Sequence, residues 1–567
     1  MVEAGRERTA EGAERRELAI ESLLIVFLFA LLVLTVDPRG DFPLDDDWNF
    51  ALGTWWFAEH GEFRFARFTG MSLRAQVVWG AVWTRWFGES FEVLRASTLV
   101  LALGSLLVFH RFCARAGVGS FSRRIAVVAL MAHPIFVWSS FTYMTQIPFL
   151  ACTVAAVYCW ARGAGDRAIG WFAAGSAALI ASYFVRQSGI ATIAAGAAAL
   201  AVVWSGSGRR FRAAATALLA IPGALFLVMI VGTDLLHGRP EEFALRFGLL
   251  DLPPARAAAA LAAQIARNFA FEMQYAVLSL LGVALAASLA RLDRRELAGA
   301  LLLAIPIAWG ASELSALRGP LPYDIHGNVI VGTGFGPLTL RDTWIFGYPG
   351  PREIATVIRW LLTIGGAALA SVCLSRIAIE GWRLARERGN PGVAVAAAAG
   401  TLAGGTAILF TTDIFFDRYA LDAAWSLAFL LPAVTAWTGW RKVIAIGATL
   451  LVFVFSAVGT SDYLAWNRAR WEGFGWLRAR GVPLERMDGG YEINQYLIGG
   501  FDGPAFLRKP QFSVVDDEWI LSFNEVAGYR TVARVEYERW SGAGTIHVQR
   551  RTEGFRPGLA RGEGEIP

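Results

Sequence analysis

Three consecutive carboxylates, Asp45, Asp46 and Asp47, followed by Trp48 and Asn49, stand just past an apolar stretch long enough to cross a bilayer. Acidic groups beside hydrocarbon are costly, and where they are retained they point to function. A carboxylate so placed can take a proton from an attacking hydroxyl, bind a cation or stay solvated. Arg186, in Ser182-Tyr-Phe-Val-Arg-Gln-Ser-Gly, lies between two apolar segments with Gln187 beside it. A guanidinium at that depth pairs with a carboxylate or with a phosphate, whose geometry its planar fork matches. A third group is Phe415-Phe-Asp-Arg-Tyr419, a very short turn in which Arg418 offers either a second phosphate ligand or a helix-end anchor. The fourth is Tyr143-Met-Thr-Gln-Ile-Pro-Phe, where Pro148 suits the first turn of a helix and Gln146 brings an amide to the point of re-entry into the apolar layer.

The elements that must position these residues are membrane helices. The chain has 567 residues, of which 55% are hydrophobic and 17% charged, against about 25% charged in soluble domains. A span needs about 20 mostly apolar residues. Thirteen segments qualify, at 19–36, 93–112, 124–140, 143–161, 168–185, 188–205, 213–233, 270–290, 297–316, 354–378, 393–412, 419–438 and 443–459. With residues 1–18 as a cytoplasmic tail before an uncleaved first helix, every inside loop is basic. These loops carry Arg115, Arg123 and Arg124; Arg162 and Arg167; Arg209, Arg210 and Arg212; Arg291, Arg294 and Arg295; Arg383, Arg386 and Arg388; and Arg441 with Lys442. That is the positive-inside pattern. It places the acidic triplet, Gln146, Arg186, Gln187 and the turn ending at Arg418 together on the outer side.

The first outer loop, 37–92, is aromatic, with Trp48, Trp55, Trp56, Phe57, Phe63, Phe65 and Phe68, then Trp79, Trp83, Trp86 and Phe87. These suit one or two amphipathic helices lying on the leaflet, with sugar stacking as the alternative role. From 460 to 555 the apolar blocks give way to period-two patterns, as in Thr531-Val-Ala-Arg-Val-Glu-Tyr and Thr545-Ile-His-Val-Gln, which read as strands of a small extracytoplasmic α/β domain. Residues 556–567, rich in Gly, Arg and Glu, read as a disordered tail.

Several function classes find no support. The net charge of +5 resides in short Arg clusters between apolar segments, which orient helices and do not make a nucleic-acid surface. There is no P-loop, GxSxG or HExxH. The four cysteines have no metal-ligand spacing and read as small buried hydrophobes. His133, before Pro134, reads as a packing residue, and His110, His326 and His547 form no convergent pattern.

Asp46-Asp-Trp-Asn-Phe50 resembles the DD/DE-x-x-Tyr motif of the first outer loop in bacterial membrane glycosyltransferases of the GT-C superfamily. The groups resembled are the protein O-mannosyltransferase-like family, the lipid A aminoarabinose transferases and the rhizobial lipopolysaccharide sugar transferases. Gln76-Val-Val-Trp-Gly, Leu94-Arg-Ala-Ser-Thr, Met144-Thr-Gln-Ile-Pro-Phe, Val185-Arg-Gln-Ser-Gly and Asp417-Arg-Tyr extend the resemblance over about 460 residues. It implies an all-α polytopic membrane fold of about 13 helices and a polyprenyl-phosphate-linked sugar donor. It also implies an acceptor outside the cytoplasm, an inner-membrane location and an acidic base in the first loop, here Asp46 or Asp47. Asp45 lies just outside the motif, as a supporting charge. Arg186, Gln187, Arg418, Tyr419 and Gln146 are the accompanying substrate- and phosphate-binding candidates. Two departures stand out. Gln146 occupies a position where relatives commonly carry an acid, and Phe50 replaces a tyrosine.

The expected reaction is an inverting transfer in one displacement, with Arg186 and Arg418 neutralising the leaving phosphate. No cofactor is required by the sequence, and whether the triplet takes a divalent metal is left open. A transporter or flippase of lipid-linked saccharide would use the same charges and predicts ionisable groups near the bilayer midplane. An inactive membrane scaffold is the third reading.

Overall fold

The computed structural model describes residues 2–66, 69–237, 254–387, 389–409, 415–501, 514–540 and 542–554; the tail expected at 556–567 lies outside them. Helix α1 (Val2–Val36) leads into the loop bearing the acidic triplet. Two helices follow, α2 (Asp47–His60) and α3 (Arg74–Phe87), neither of which is long and apolar enough to cross a membrane. Val78, Val82 and Trp86 are exposed along one stripe of α3, as suits a helix lying in the membrane interface.

The bundle continues with α4 (Phe91–Arg115), α5 (Ser120–Ala132) and α6 (Pro134–Ser140). The last two form one span bent by 61°, because Pro134 cannot donate a backbone hydrogen bond across the junction. The His133 imidazole caps α6 there, Nδ1 accepting from Ile135 N at 3.2 Å. Next come α7 (Gln146–Asp166), α8 (Ile169–Tyr183), α9 (Ile193–Val203) and α10 (Arg209–His237). Helices α11 (Pro254–Ser279) and α12 (Leu281–Ser288) meet at a 97° bend, and α13 (Arg294–Arg318) follows. A long connection carries the hairpin β1 (Ile330–Val331) and β2 (Gly334–Phe335) and the short helix α14 (Arg341–Trp344). The membrane part closes with α15 (Thr356–Arg376), α16 (Trp382–Arg386), α17 (Asn390–Leu409), α18 (Ala420–Val434) and α19 (Gly439–Ala479).

Among the described residues nine helices are long and apolar enough to cross a membrane, or eleven if each bent pair is one span. The chain is an integral membrane protein. The expectation of thirteen spans differs through α8 and α18. Both are helical, α8 partly and α18 almost wholly buried, but each has 15 residues, about 22 Å at 1.5 Å per residue, short of a hydrocarbon core of about 30 Å.

The two ends of the bundle differ chemically. One gathers Arg115 with Asp166, Glu21 with Arg123 at 2.6 Å and Arg124 at 2.7 Å, and Arg376 with Glu296 at 3.1 Å. The other gathers the acidic triplet, the 319–355 connection, the turn before α18 and the C-terminal residues.

Helix α19 runs unbroken through position 460, where a domain boundary was expected. Its 41 residues give about 60 Å, so it extends well beyond a bilayer. Beyond it come β3 (Met487–Asp488), α20 (Tyr491–Asn494), β4 (Trp519–Ser522), β5 (Tyr529–Arg539) and β6 (Gly542–Arg551). The sheet order is β3-β4-β6-β5, parallel only between β3 and β4. The two period-two segments are β5 and β6. The sheet packs on α19 at Gly473, where a side chain would meet Leu521, Val548 and Val535. Gly336, at φ +82°, lies so close to the Tyr463 ring of α19 that a Cβ would overlap it, so the 319–355 connection is clamped to the same helix.

Candidate active site

The loop after α1 is shaped by Arg95 of α4, which is 1% exposed. Its Nη1 donates to the carbonyls of Pro38 at 2.5 Å and Gly40 at 3.0 Å, and its Nη2 to that of Phe42 at 3.1 Å. Five donors on one planar group suit the bridging of a turn. The three acids that follow have three different environments.

Asp47 opens α2 and is buried. Its Oδ1 accepts from Leu44 N at 2.6 Å and its Oδ2 from Tyr143 N at 3.4 Å. Burial pushes its carboxyl up to about 8, against the pull of Arg95 and of the two backbone donors. Tyr143 is itself locked in place: its hydroxyl donates to Gln76 O at 2.9 Å, and Gln76 Nε2 donates to Tyr143 O at 2.7 Å.

Asp45 is buried with φ at 53°, the left-handed region that few non-glycine residues adopt. It is held there from two sides. Its N–H donates to Glu492 Oε1 at 3.1 Å, and its Oδ2 accepts from Arg418 Nη1 at 2.5 Å. Burial and the adjacent Asp46 charge raise its carboxyl well above the usual range, with Arg418 opposing them.

Asp46 is the one member of the triplet with an accessible side chain, 28% exposed. Oδ1 accepts from the Tyr491 hydroxyl at 2.6 Å, and Oδ2 from Arg418 Nη2 at 3.3 Å. Arg418, expected beside a phosphate, is thus engaged by Asp45 and Asp46, and its Nη1 also reaches Gly327 O at 3.3 Å. Its neighbour Asp417 accepts from Val329 N at 3.0 Å and Ile330 N at 2.7 Å, fastening the 319–355 connection. Burial pushes that carboxyl up to about 7, against the pull of the same two N–H groups.

Arg186 is 8% exposed. Its guanidinium lies 4.8 Å from the Tyr419 ring centroid and 5.3 Å from that of Phe149, a doubly aromatic seat for a cation. Among the described residues, its buried Nη1 has no hydrogen-bond partner. It lines a cavity of about 310 Å³ together with Gln187, Phe149, Tyr419, Asp422 and Trp425. The rest of the wall is mostly small or apolar, from Met71 of the first loop to Ala191 and Gly405. Gln187 Nε2 donates to Gly70 O at 3.1 Å and so joins this turn to the first loop. Gln146 is 1% exposed, and neither amide atom has a partner among the described residues. It precedes Phe149 and Thr153, both in the cavity wall, by one and two turns on the same face of α7.

The fold therefore brings Asp45, Asp46 and Arg418 into one cluster, and Arg186, Gln187 and Tyr419 into one cavity. The consecutive residues Arg418 and Tyr419 join the two. Asp47 sits beside the cluster but is turned into the backbone. Sequence reasoning missed Tyr491, Glu492 and Asp422. Tyr491 and Glu492 act on Asp45 and Asp46 from more than four hundred residues away, and no local pattern marks them. Glu492 is buried and held by Arg470 Nη1 at 2.6 Å and Thr339 Oγ1 at 2.6 Å. Among the described residues no three His, Cys, Asp or Glu side chains gather as a metal-holding group; the positive charge between Asp45 and Asp46 is the Arg418 guanidinium.

No family model matches the chain, and no curated protein matches it in sequence. Among solved structures it is similar to the archaeal oligosaccharyltransferase AglB from Archaeoglobus fulgidus, in complex with an inhibitory peptide and a dolichol-phosphate. Identity there is 13% and the TM-score 0.41, over 82% of this chain and 59% of that one. It is also similar to ArnT from Cupriavidus metallidurans bound to undecaprenyl phosphate, with 12% identity and a TM-score of 0.38 over 94% of this chain and 99% of that one. The apo form of ArnT gives 12% identity and a TM-score of 0.37. The chain thus spans about three fifths of the archaeal protein's length and nearly all of ArnT's.

Proposed function

We propose that the chain is a membrane glycosyltransferase that moves a sugar from a polyprenyl-phosphate-linked donor to a hydroxyl of an acceptor outside the cytoplasm. The observation that carries this reading is the Arg418-Tyr419 pair. Arg418 holds the acid cluster, and Tyr419 lies against Arg186 in the cavity. The seat for a phosphate on Arg186 and that for a hydroxyl on Asp46 are thereby linked through two consecutive residues.

In this reading the donor phosphate binds Arg186, whose buried Nη1 supplies a donor that no described residue uses. The mostly small and apolar wall takes the start of the isoprenoid chain. The acceptor oxygen attacks the anomeric carbon, the bond from that carbon to the phosphate oxygen breaks, and the acceptor proton passes to Asp46. Configuration inverts because a single displacement occurs. Arg186 stabilises the charge that develops on the leaving phosphate. Asp45 and Asp47 do not take the proton. Both are buried, and Asp46 alone keeps a partly exposed side chain. We place the Arg-rich end in the cytoplasm and the site outside it, in the inner membrane, because basic loops stay inside.

The alternative of a lipid-linked saccharide transporter calls for ionisable groups at the midplane. Asp422, in the cavity wall, and the buried Glu272 lie inside the bundle, the latter accepting from Thr406 Oγ1 at 2.9 Å. Asp422 is two residues into α18, and Thr406 is three residues from the end of α17. At 1.5 Å per residue both lie within about 5 Å of the helix ends on the site side, which favours chemistry at that face.

Undecaprenyl phosphate and dolichol-phosphate are the probes for the donor site. Arg186→Ala weakens their binding to the purified protein at least about tenfold, as loss of a charged hydrogen bond does. Asp46→Asn lowers sugar transfer by about 10²–10⁴-fold while leaving that binding unchanged. Full transfer by Asp46→Asn, or unchanged affinity in Arg186→Ala, would sink the assignment.

A further inference from the structure

A second cavity adjoins the acid cluster through Gly327, whose carbonyl accepts from Arg418. It measures about 240 Å³ and is walled entirely by residues between Asp324 and Trp344, in the connection between α13 and α15. No helix of the bundle contributes to it, whereas the Arg186 cavity takes its wall partly from α7, α17 and α18. Its volume is below the roughly 300–1,000 Å³ of drug-sized sites, which fits a single ring and excludes a long chain.

Its wall has two characters. The His326 and Trp344 rings lie parallel, with centroids 4.9 Å apart and planes 3° apart, and form an aromatic side. Other wall residues are polar and retain acceptor capacity. Asp324 accepts from Arg359 Nη2 at 2.8 Å and Gly332 N at 3.0 Å, which leaves lone pairs on both oxygens. Thr343 donates to Leu340 O at 3.1 Å and keeps its own oxygen as an acceptor. Aromatic rings beside acceptors for hydroxyl groups suit a sugar ring.

The aromatic side also leads to the acid cluster. Trp344 stacks at 6.4 Å on Tyr491, whose hydroxyl donates to Asp46. On the polar side Gly327, another wall residue, receives Arg418 Nη1. We infer that this cavity is a carbohydrate subsite, with Trp344 and His326 as its stacking wall, and that it presents a sugar hydroxyl toward Asp46. Calling that sugar the acceptor rests on the glycosyl-transfer reading; its binding does not.

Saturation-transfer NMR tests this on the full chain in nanodiscs, with methyl α-glucoside, methyl α-mannoside and methyl β-galactoside as probes. At least one glycoside receives saturation from the unaltered protein. The signal is lost in Trp344→Ala, retained in Trp344→Phe and reduced in His326→Ala, a change at an exposed residue that leaves the fold intact. Arg186→Ala keeps it. The inference is overturned if no glycoside receives saturation, or if the signal survives equally in Trp344→Ala and His326→Ala. Glycoside binding that needs Trp344, together with lipid-phosphate binding that ignores Arg186, would leave the sugar site standing and remove the transferase reading.

Discussion

Three adjacent aspartates acquire three roles because burial and partners differ across a few ångströms. Asp46 keeps a partly exposed side chain, Asp45 holds a left-handed turn, and Asp47 braces the start of α2. The last role has a consequence for stability. Asp47 titrates near 8 in the folded chain, against about 3.9 for an unfolded aspartate. The folded state holds the extra proton between those values. That contribution to stability is complete below about pH 4 and is lost as pH rises through about 8. Asp417, near 7, acts in the same direction. The melting temperature of the detergent-solubilised protein therefore falls between about pH 5 and pH 9. Asp47→Asn, neutral throughout, flattens the fall; an unchanged slope in that variant would assign the dependence elsewhere. The triplet was legible from its charges and its place after an apolar run. Which of the three keeps a partly exposed side chain was not, because Tyr491, Glu492 and Arg418 decide it.

At the scale of elements, short motifs far apart in the chain brace one another. Arg95 ties α4 to the first loop, Gln76 of α3 ties to Tyr143, and Leu73 N donates to Val185 O at 3.2 Å next to Arg186. The motifs beginning at Gln76 and Leu94 thus brace the charged residues, and the backbone of Val185 helps to seat Arg186. The turn α20 has a comparable duty: Glu492 holds Asp45 from one side while Arg470 of α19 holds Glu492. Both side chains of that pair are fully buried. Removing one partner of such a pair leaves a bare charge and costs about 3–5 kcal/mol. Arg470→Met should lose about that much in denaturant unfolding. Arg470→Met combined with Glu492→Gln should recover part of it, because neither charge then remains. If the double variant is no more stable than the single one, the pair is not the origin of the loss.

The whole molecule is more integrated than the change in hydrophobic pattern at 460 suggests. Helix α19 passes through that position, the sheet packs on its far half, and Arg341 of the 319–355 connection reaches Asp488 at 3.2 Å and Asp517 at 2.8 Å. These carboxylates are almost fully buried beside Arg341 and would be left without it in a separate C-terminal piece. Residues 460–567 expressed alone should give no cooperative thermal transition. A sharp transition, with a dispersed amide spectrum, would show an autonomous domain.

The sequence by itself determined that this is a many-spanning helical membrane protein with strands near its C-terminus. Apolar block length and period-two alternation are local properties, written wherever a helix must face lipid or a strand must face a core. It also marked Asp45–Asp47, Arg186 and Arg418, because a charge beside an apolar block is conspicuous without any structure. Only the tertiary structure decided the span lengths of α8 and α18, the engagement of Arg418 by carboxylates and the partial exposure of Asp46. It alone brought Tyr491 to Asp46, with Trp344 and His326 stacked beyond it. These depend on contacts between residues hundreds of positions apart, whose partners no local pattern encodes.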